Sequence, residues 1–280
     1  MFVLPVFWIS MSQQFNPITN DLTIFVNTSD NFEDCWEAFF KLFELYWPDC
    51  PYPIVLNTET KEYKYEGLNI TCSKVSLGQS KRLGWSECLM RALDRVETPY
   101  ILYLQEDYFL EAPVNATLLA DLLNEMRVLK LGAIRLSGTD GIGPWHPLAS
   151  SLVVEVDKNA KWRLSLQAAL WNKSVLRSLI RKHETPWQLE SYGSFRTRRL
   201  KEKICSFNQE NTSKFDNQIF PYCPTGVVAG RWVGDVVKPL FAEHNINVDF
   251  SVRGFHQKGK RHKKRKPFLL RLIDRIRSFF

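Results

Sequence analysis

The stretch YILYLQEDYFL, residues 100–110, places Gln105, Glu106 and Asp107 between two apolar runs. Two adjacent carboxylates between segments of core-like composition need a reason, because ionised side chains are seldom buried unless they are paired or used. The preceding hundred residues supply one. LTIFVN (22–27) reads as a strand, TSDN as a loop, 32–47 as an aromatic amphipathic helix, and PIVLN (53–57) and 70–75 as further strands. Residues 80–96 carry Leu83, Leu89, Met90 and Leu93 at helical intervals. Strands alternating with helices predict a parallel sheet covered on both faces, with YILYL as an interior strand. In open sheets of this kind ligands bind beyond the carboxyl ends of the strands. Gln105, Glu106 and Asp107 fall at such an end, together with Thr28, Ser29 and Asp30 and with Asn57, Thr58 and Glu59.

The second half is less regular. A helix over 117–129 leads to AIRLSG (133–138), a Gly/Pro-rich loop at 140–147, and two β-like runs, LVVEV (152–156) and LSLQAALW (164–171). Helices follow over 173–183 and 233–244, with ETPWQLESYGSFRTRRL between them and a β-rich stretch around FPYCPTGVVAG. The 280 residues are 45% hydrophobic, with nine Trp and nineteen Phe, so a folded core is expected rather than disorder. The six cysteines are scattered without CxxC or zinc-type spacing, which points to free thiols.

Charge is uneven along the chain. From residue 258 onward ten Lys or Arg stand against Asp274, giving +9, and with +7 for the whole chain residues 1–257 are left at −2. A near-neutral body with a basic tail excludes a surface that binds nucleic acid throughout. The tail, KGKRHKKRKPFLLRLIDRIRSFF, sets Phe268, Leu269, Leu272, Ile273 and Ile276 on one helical face, with Pro267 at the start. It reads as an interfacial helix on an anionic membrane, with a nucleic-acid arm or a helix docked on another subunit as rivals. FVLPVFWIS near the start is too short to span a bilayer and lacks a basic flank. The sequons at Asn27, Asn69, Asn115, Asn172 and Asn211 are therefore taken as coincidence, and a cytoplasmic protein peripheral to the inner face of a membrane is expected.

Carboxylates at a strand end can hold a divalent cation, act as acid and base, or join an ion network; Mg2+ and Mn2+ favour such oxygen ligands with substrate phosphates. The stretch GWSECLMRALDRVETPYILYLQEDYFL (84–110) resembles the GT-A nucleotide-sugar glycosyltransferases, in which an amphipathic helix and an apolar strand lead to a DxD-type acidic motif. Here Gln105 occupies the first acidic position and Asp107 the second. The likeness runs from about residue 22 to 256, so the expected organisation is an extension over 1–20, one domain over 21–256, and the tail over 257–280. The fold implied is a Rossmann-related mixed α/β sheet flanked by helices.

The resemblance implies that Thr28, Ser29, Asp30, Asn57 and Glu59 contact the nucleotide, although Ser29 and Asp30 also suit a helix cap. It implies that Asp107, then Glu106, hold the donor diphosphate through Mn2+ or Mg2+, beside Gln105. Glu190 in TPWQLE would be the general base, with Trp187 as a wall for the acceptor sugar. The rival readings are a salt bridge from Glu190 to Arg196 or Arg198, and a core tryptophan. His256 would be a late metal ligand, and Arg253 with Lys258 would neutralise the leaving diphosphate. Arg196, Arg198 and Arg199 read as a solvated basic loop. The expected activity is transfer of a sugar from a nucleotide-diphosphate donor to a glycan or glycolipid hydroxyl. The alternatives are an inactive, sugar-binding scaffold and a nucleotidyltransferase, against which the acidic TSDNFED loop counts.

Overall fold

The alternation of strands and helices in the first half does build a parallel sheet. A computed structural model describes residues 21–136, 143–208, 219–223, 225–257 and 268–279. Within it β1 (Leu22–Asn27), β2 (Ile54–Asn57), β3 (Ile70–Cys72) and β4 (Tyr100–Gln105) lie in the order β3-β2-β1-β4, all parallel. All six residues of β1 are buried, because helices cover both faces. Leu22, Ile24 and Val26 pack in the core shared with α1 (Glu33–Tyr46), whereas Phe25 joins the core of α2 (Trp85–Arg95). Trp36, Phe39, Phe40 and Phe43 form the buried stripe of α1. Burying each such ring contributes roughly 1.5–3 kcal/mol.

The second half extends this sheet with β5 (Ala133–Arg135), β6 (Trp145–Pro147), β7 (Val153–Val156), β8 (Ala169–Asn172) and β9 (Ile204–Phe207). The order is β3-β2-β1-β4-β8-β5-β9-β7-β6, with β8 running antiparallel between β4 and β5. Helices α3 (Ala116–Val128) and α6 (Gly234–Glu243) share the face of α1, and α4 (Lys173–Leu179) and α5 (Pro186–Arg196) share that of α2. This is the mixed sheet flanked by helices that the resemblance implies. Only the end of the 164–171 run is strand; Leu166 and Gln167 lie outside the sheet.

Two of the sequon asparagines cap helices. Asn115 caps α3 by accepting the Leu118 N–H, and Asn172 caps α4 by accepting those of Ser174 and Val175. Thr185 caps α5 in a reciprocal capping box with Gln188, and Pro186 occupies the first turn. All six cysteines are free thiols.

The tail helix α7 (Phe268–Phe279) is seated on its own domain rather than held out as an arm. Gln188 donates to Asp274 at 3.1 Å, His183 meets the Ser278 hydroxyl at 3.1 Å, and the Phe195 and Phe279 rings are 6.1 Å apart. Arg196 donates to the Ser278 carbonyl at 2.8 Å while forming a buried ion pair with Glu184 at 2.6 Å. The expected solvated basic loop is thus corrected at Arg196, which is buried; Arg198 and Arg199 are exposed. Among the described residues no helix is long and apolar enough to cross a membrane. Residues 1–20, Lys258 and the rest of the polybasic run, and the 137–142 part of the Gly/Pro-rich segment lie outside the described residues.

Candidate functional site

The carboxyl edge of the sheet is a polar rung. Register sets Asn27 of β1 beside Asn57 of β2 on one side and Gln105 of β4 on the other. Asn57 donates its amide to Asn27 at 2.8 Å and accepts the Ser73 hydroxyl at 3.0 Å, so its polar atoms serve the rung itself. Asp30 does not cap a helix with its side chain. Its carboxylate accepts the backbone N–H groups of Glu59 and Thr60 at 2.8 and 2.9 Å and the Thr60 hydroxyl at 2.6 Å. Glu59 in turn accepts Arg82 Nε at 2.9 Å and the Asp30 N–H at 3.3 Å. Asp30, Asn57 and Glu59 therefore knit the loops after β1 and β2 together and stand outside the main cleft.

That cleft, about 560 Å³, opens beyond β1 and β4. It brings together Thr28, Ser29, Gln105, Glu106, Asp107, Trp187 and Glu190 from the expected set, and adds Phe32, Trp85, Leu166, Gln167, Thr225 and Val227. Thr28 is fixed by the Trp36 indole N–H at 3.0 Å.

The acidic turn is held from the far side by residues 225–227. Asp107 Oδ2 accepts the Thr225 hydroxyl at 3.1 Å and the Val227 N–H at 3.2 Å, and the Asp107 carbonyl accepts the Gly226 N–H at 3.1 Å. Only glycine fits at 226, because a Cβ there would lie 2.3 Å from the Phe109 ring. Glu106 and Asp107 are each 7% exposed. Burial pushes the Glu106 carboxyl up, the adjacent Asp107 charge adds to this, and Arg253 opposes it. Burial also raises Asp107, against the hydrogen bonds from Val227 and Thr225.

Across the cleft, Glu190 lies on α5, and its Oε1 accepts the Leu166 N–H at 2.9 Å. Burial raises its pKa, and the Leu166 N–H and the Arg135 charge oppose the rise. The carbonyl of the same Leu166 accepts Gln105 Nε2 at 3.2 Å and the Tyr108 hydroxyl at 2.9 Å. The rival salt bridge from Glu190 is not formed: Arg196 takes Glu184, and Arg198 takes the Lys158 carbonyl. Trp187 is no core residue; it stands 59% exposed at the mouth.

Two expected residues lie elsewhere. Arg253 grips Asp34 and donates to the Asn31 carbonyl at 2.6 Å, with its guanidinium 4.2 Å from the Phe32 ring centroid. Its charge reaches Glu106, but its hydrogen bonds pin the 250–256 segment to the start of α1. His256 is anchored by its own N–H to the Trp232 carbonyl at 2.8 Å and does not line the cleft. Among the described residues no group of three or more His, Cys, Asp or Glu could hold a metal ion. Two buried, mutually repelling carboxylates nonetheless fit a hard divalent cation whose other ligands come from phosphate and water. The roles of Leu166 and of 225–227 had no sequence signal, since both act through backbone groups or a single hydroxyl far along the chain.

No protein-family model matches the chain, and no curated protein sequence is similar to it. Its structure is similar to that of residues 1–349 of S. aureus TarS in complex with UDP-GlcNAc, at 14% identity over 69% of this chain and 57% of that one, TM-score 0.44. A mycobacterial protein is similar at 11% identity over 86% of this chain and 77% of that one, TM-score 0.43. Glucosyl-3-phosphoglycerate synthase from Mycobacterium tuberculosis, in complex with Mn2+ and UDP-glucose, is similar at 9% identity over 44% and 45% of the two chains, TM-score 0.29. The chain spans less than two thirds of the TarS chains it matches.

Proposed function

We propose that the chain is a glycosyltransferase that moves a sugar from a nucleotide-diphosphate donor to a hydroxyl of a glycan or glycolipid. The observation that carries this is one cleft, at the carboxyl end of a mixed α/β sheet, with a buried acidic pair on one wall and a separate half-buried carboxylate, Glu190, on the other. Thr28 and Ser29 would line the donor side, and the Asp30, Asn57 and Glu59 ties would keep its loops in place.

Asp107, with Glu106, would hold Mn2+ or Mg2+, which supplies positive charge to the donor diphosphate. Glu190 would accept the proton of the acceptor hydroxyl as its oxygen bonds to the anomeric carbon and the sugar–phosphate bond breaks, the electron pair leaving on the diphosphate. A raised pKa suits that role, since a base near the working pH is strong enough to take the proton and still ionised enough to be ready. The Leu166 N–H orients Glu190, and Trp187 offers a flat apolar face to an acceptor ring. The basic tail, with α7, would bring the enzyme to an anionic membrane carrying a lipid-linked acceptor.

Calorimetry with a panel of nucleotide-diphosphate sugars, with and without Mn2+, tests the reading. Binding strengthened by Mn2+ and lost in Asp107→Asn is expected; failure of every donor to bind would leave a scaffold and overturn it.

A further inference from the structure

Exposed charge around the distal end of α5 is all of one sign. Lys158, Lys161, Arg198, Arg199, Lys201, Arg275 and Arg277 are exposed, Lys203 is paired with Glu155, and segments 157–163, 195–203 and 273–279 have no exposed acid, Glu202 being half-buried. Asp157 is drawn to His146 and Asp274 to Gln188. Among the cations stand large apolar side chains open to water: Trp162 at 46%, Phe195 at 37%, Ile273 at 42% and Ile276 at 52%.

These groups form one surface. Arg198 lies 4.6 Å from the Phe195 ring centroid and donates to the Lys158 carbonyl at 3.2 Å, while the Phe195 ring also meets Phe279 of α7. Leu164, two residues beyond Trp162, donates its N–H to Ser194, beside Phe195, at 3.0 Å. Trp162 has φ +55°, a backbone state that a bulky residue adopts at a cost, yet its indole remains exposed. Helix α5 runs from this patch to the cleft, whose mouth its Pro186 and Trp187 line.

We infer that the 158–162 loop, the end of α5 and α7 together form a docking platform for an anionic lipid bilayer, which sets the mouth of the cleft beside that surface. Aromatic and branched apolar groups interleaved with cations match a headgroup layer, where the former enter the acyl boundary and the latter meet phosphate. A polyanion in water would use the cations and leave the exposed Trp162, Ile273 and Ile276 without a partner. The inference rests on the membrane reading for α7 and adds the loop and α5 as an independent part of the contact.

The full chain is mixed with vesicles of phosphatidylcholine, or of equal parts phosphatidylcholine and phosphatidylglycerol, and sedimented. Binding to the anionic vesicles alone, weakened by salt, is expected. Trp162→Gly combined with Lys158→Ala and Arg198→Ala should weaken it more than about ten-fold, at about five-fold per cation. Glycine relaxes the left-handed backbone at 162, so this variant keeps its fold, checked by unchanged Tm and unchanged nucleotide-sugar binding. If the triple variant binds vesicles like the wild type while Ile273→Ser with Ile276→Ser does not bind, the platform is overturned and the tail alone is the anchor. If the wild type binds no vesicles, both are overturned, whatever the outcome with donor sugars.

Discussion

Gln105 stands where an aspartate would complete a DxD motif, and its amide does what a carboxylate could not: it donates to the Leu166 carbonyl. Gln105→Glu would set two acceptors against each other, so a loss of roughly 1–3 kcal/mol is expected in urea unfolding. Glu190→Gln should lower turnover about 10²–10⁴-fold with a far smaller change in donor affinity, measured as kcat against donor Kd. Glu106, Asp107 and Glu190 all bind their protons more tightly folded than unfolded. For such groups stability is greatest below the unfolded carboxylate pKa and declines as pH rises through the raised folded value. Glu106→Gln should therefore raise Tm at about pH 8 and leave it nearly unchanged at about pH 4, with the reverse pattern refuting the buried-charge account. At this scale the sequence disclosed which carboxylates the cleft brings together but not what engages them. Asp107 was legible from its place after an apolar strand, whereas its partners Thr225 and Val227 lie beyond any local spacing.

At the scale of the element, β1 to β4 were legible because each alternates with a helix or ends in polar loop residues, and β1 falls on the expected LTIFVN. β8 was only half legible. LSLQAALW has the composition of a single strand, yet Leu164 and Leu166 are tied by Ser194 and Glu190 of α5, and strand pairing starts only at Ala169. Long-range hydrogen bonds overrode a local preference there. The amphipathic pattern disclosed α7 but not its seat, which depends on Arg196 joining Glu184 to the Ser278 carbonyl. Arg196→Leu leaves the Glu184 charge buried alone, and a loss of about 3–5 kcal/mol is expected in denaturant titration. Faster amide exchange should appear in α7 as well as in α5.

At the scale of the whole molecule, one sheet carries the polar loops after β1 and β4 on its parallel half, and the Glu190 helix packs on the face of α2. A nucleotide sugar that binds only the folded chain should raise stability by about 2.7 kcal/mol at a hundred times its Kd, read as a Tm shift that grows with added Mn2+. The peptide unit at Leu166 joins these halves, since its N–H belongs to Glu190 and its carbonyl to Gln105 and Tyr108. A proton arriving on Glu190 weakens one end of that link, and a ligand moving the acidic turn pulls on the other. On the proposed function, donor occupancy and the acidity of Glu190 would thereby be thermodynamically reciprocal: whatever factor the donor imposes on the proton affinity of Glu190, that proton would impose on the donor.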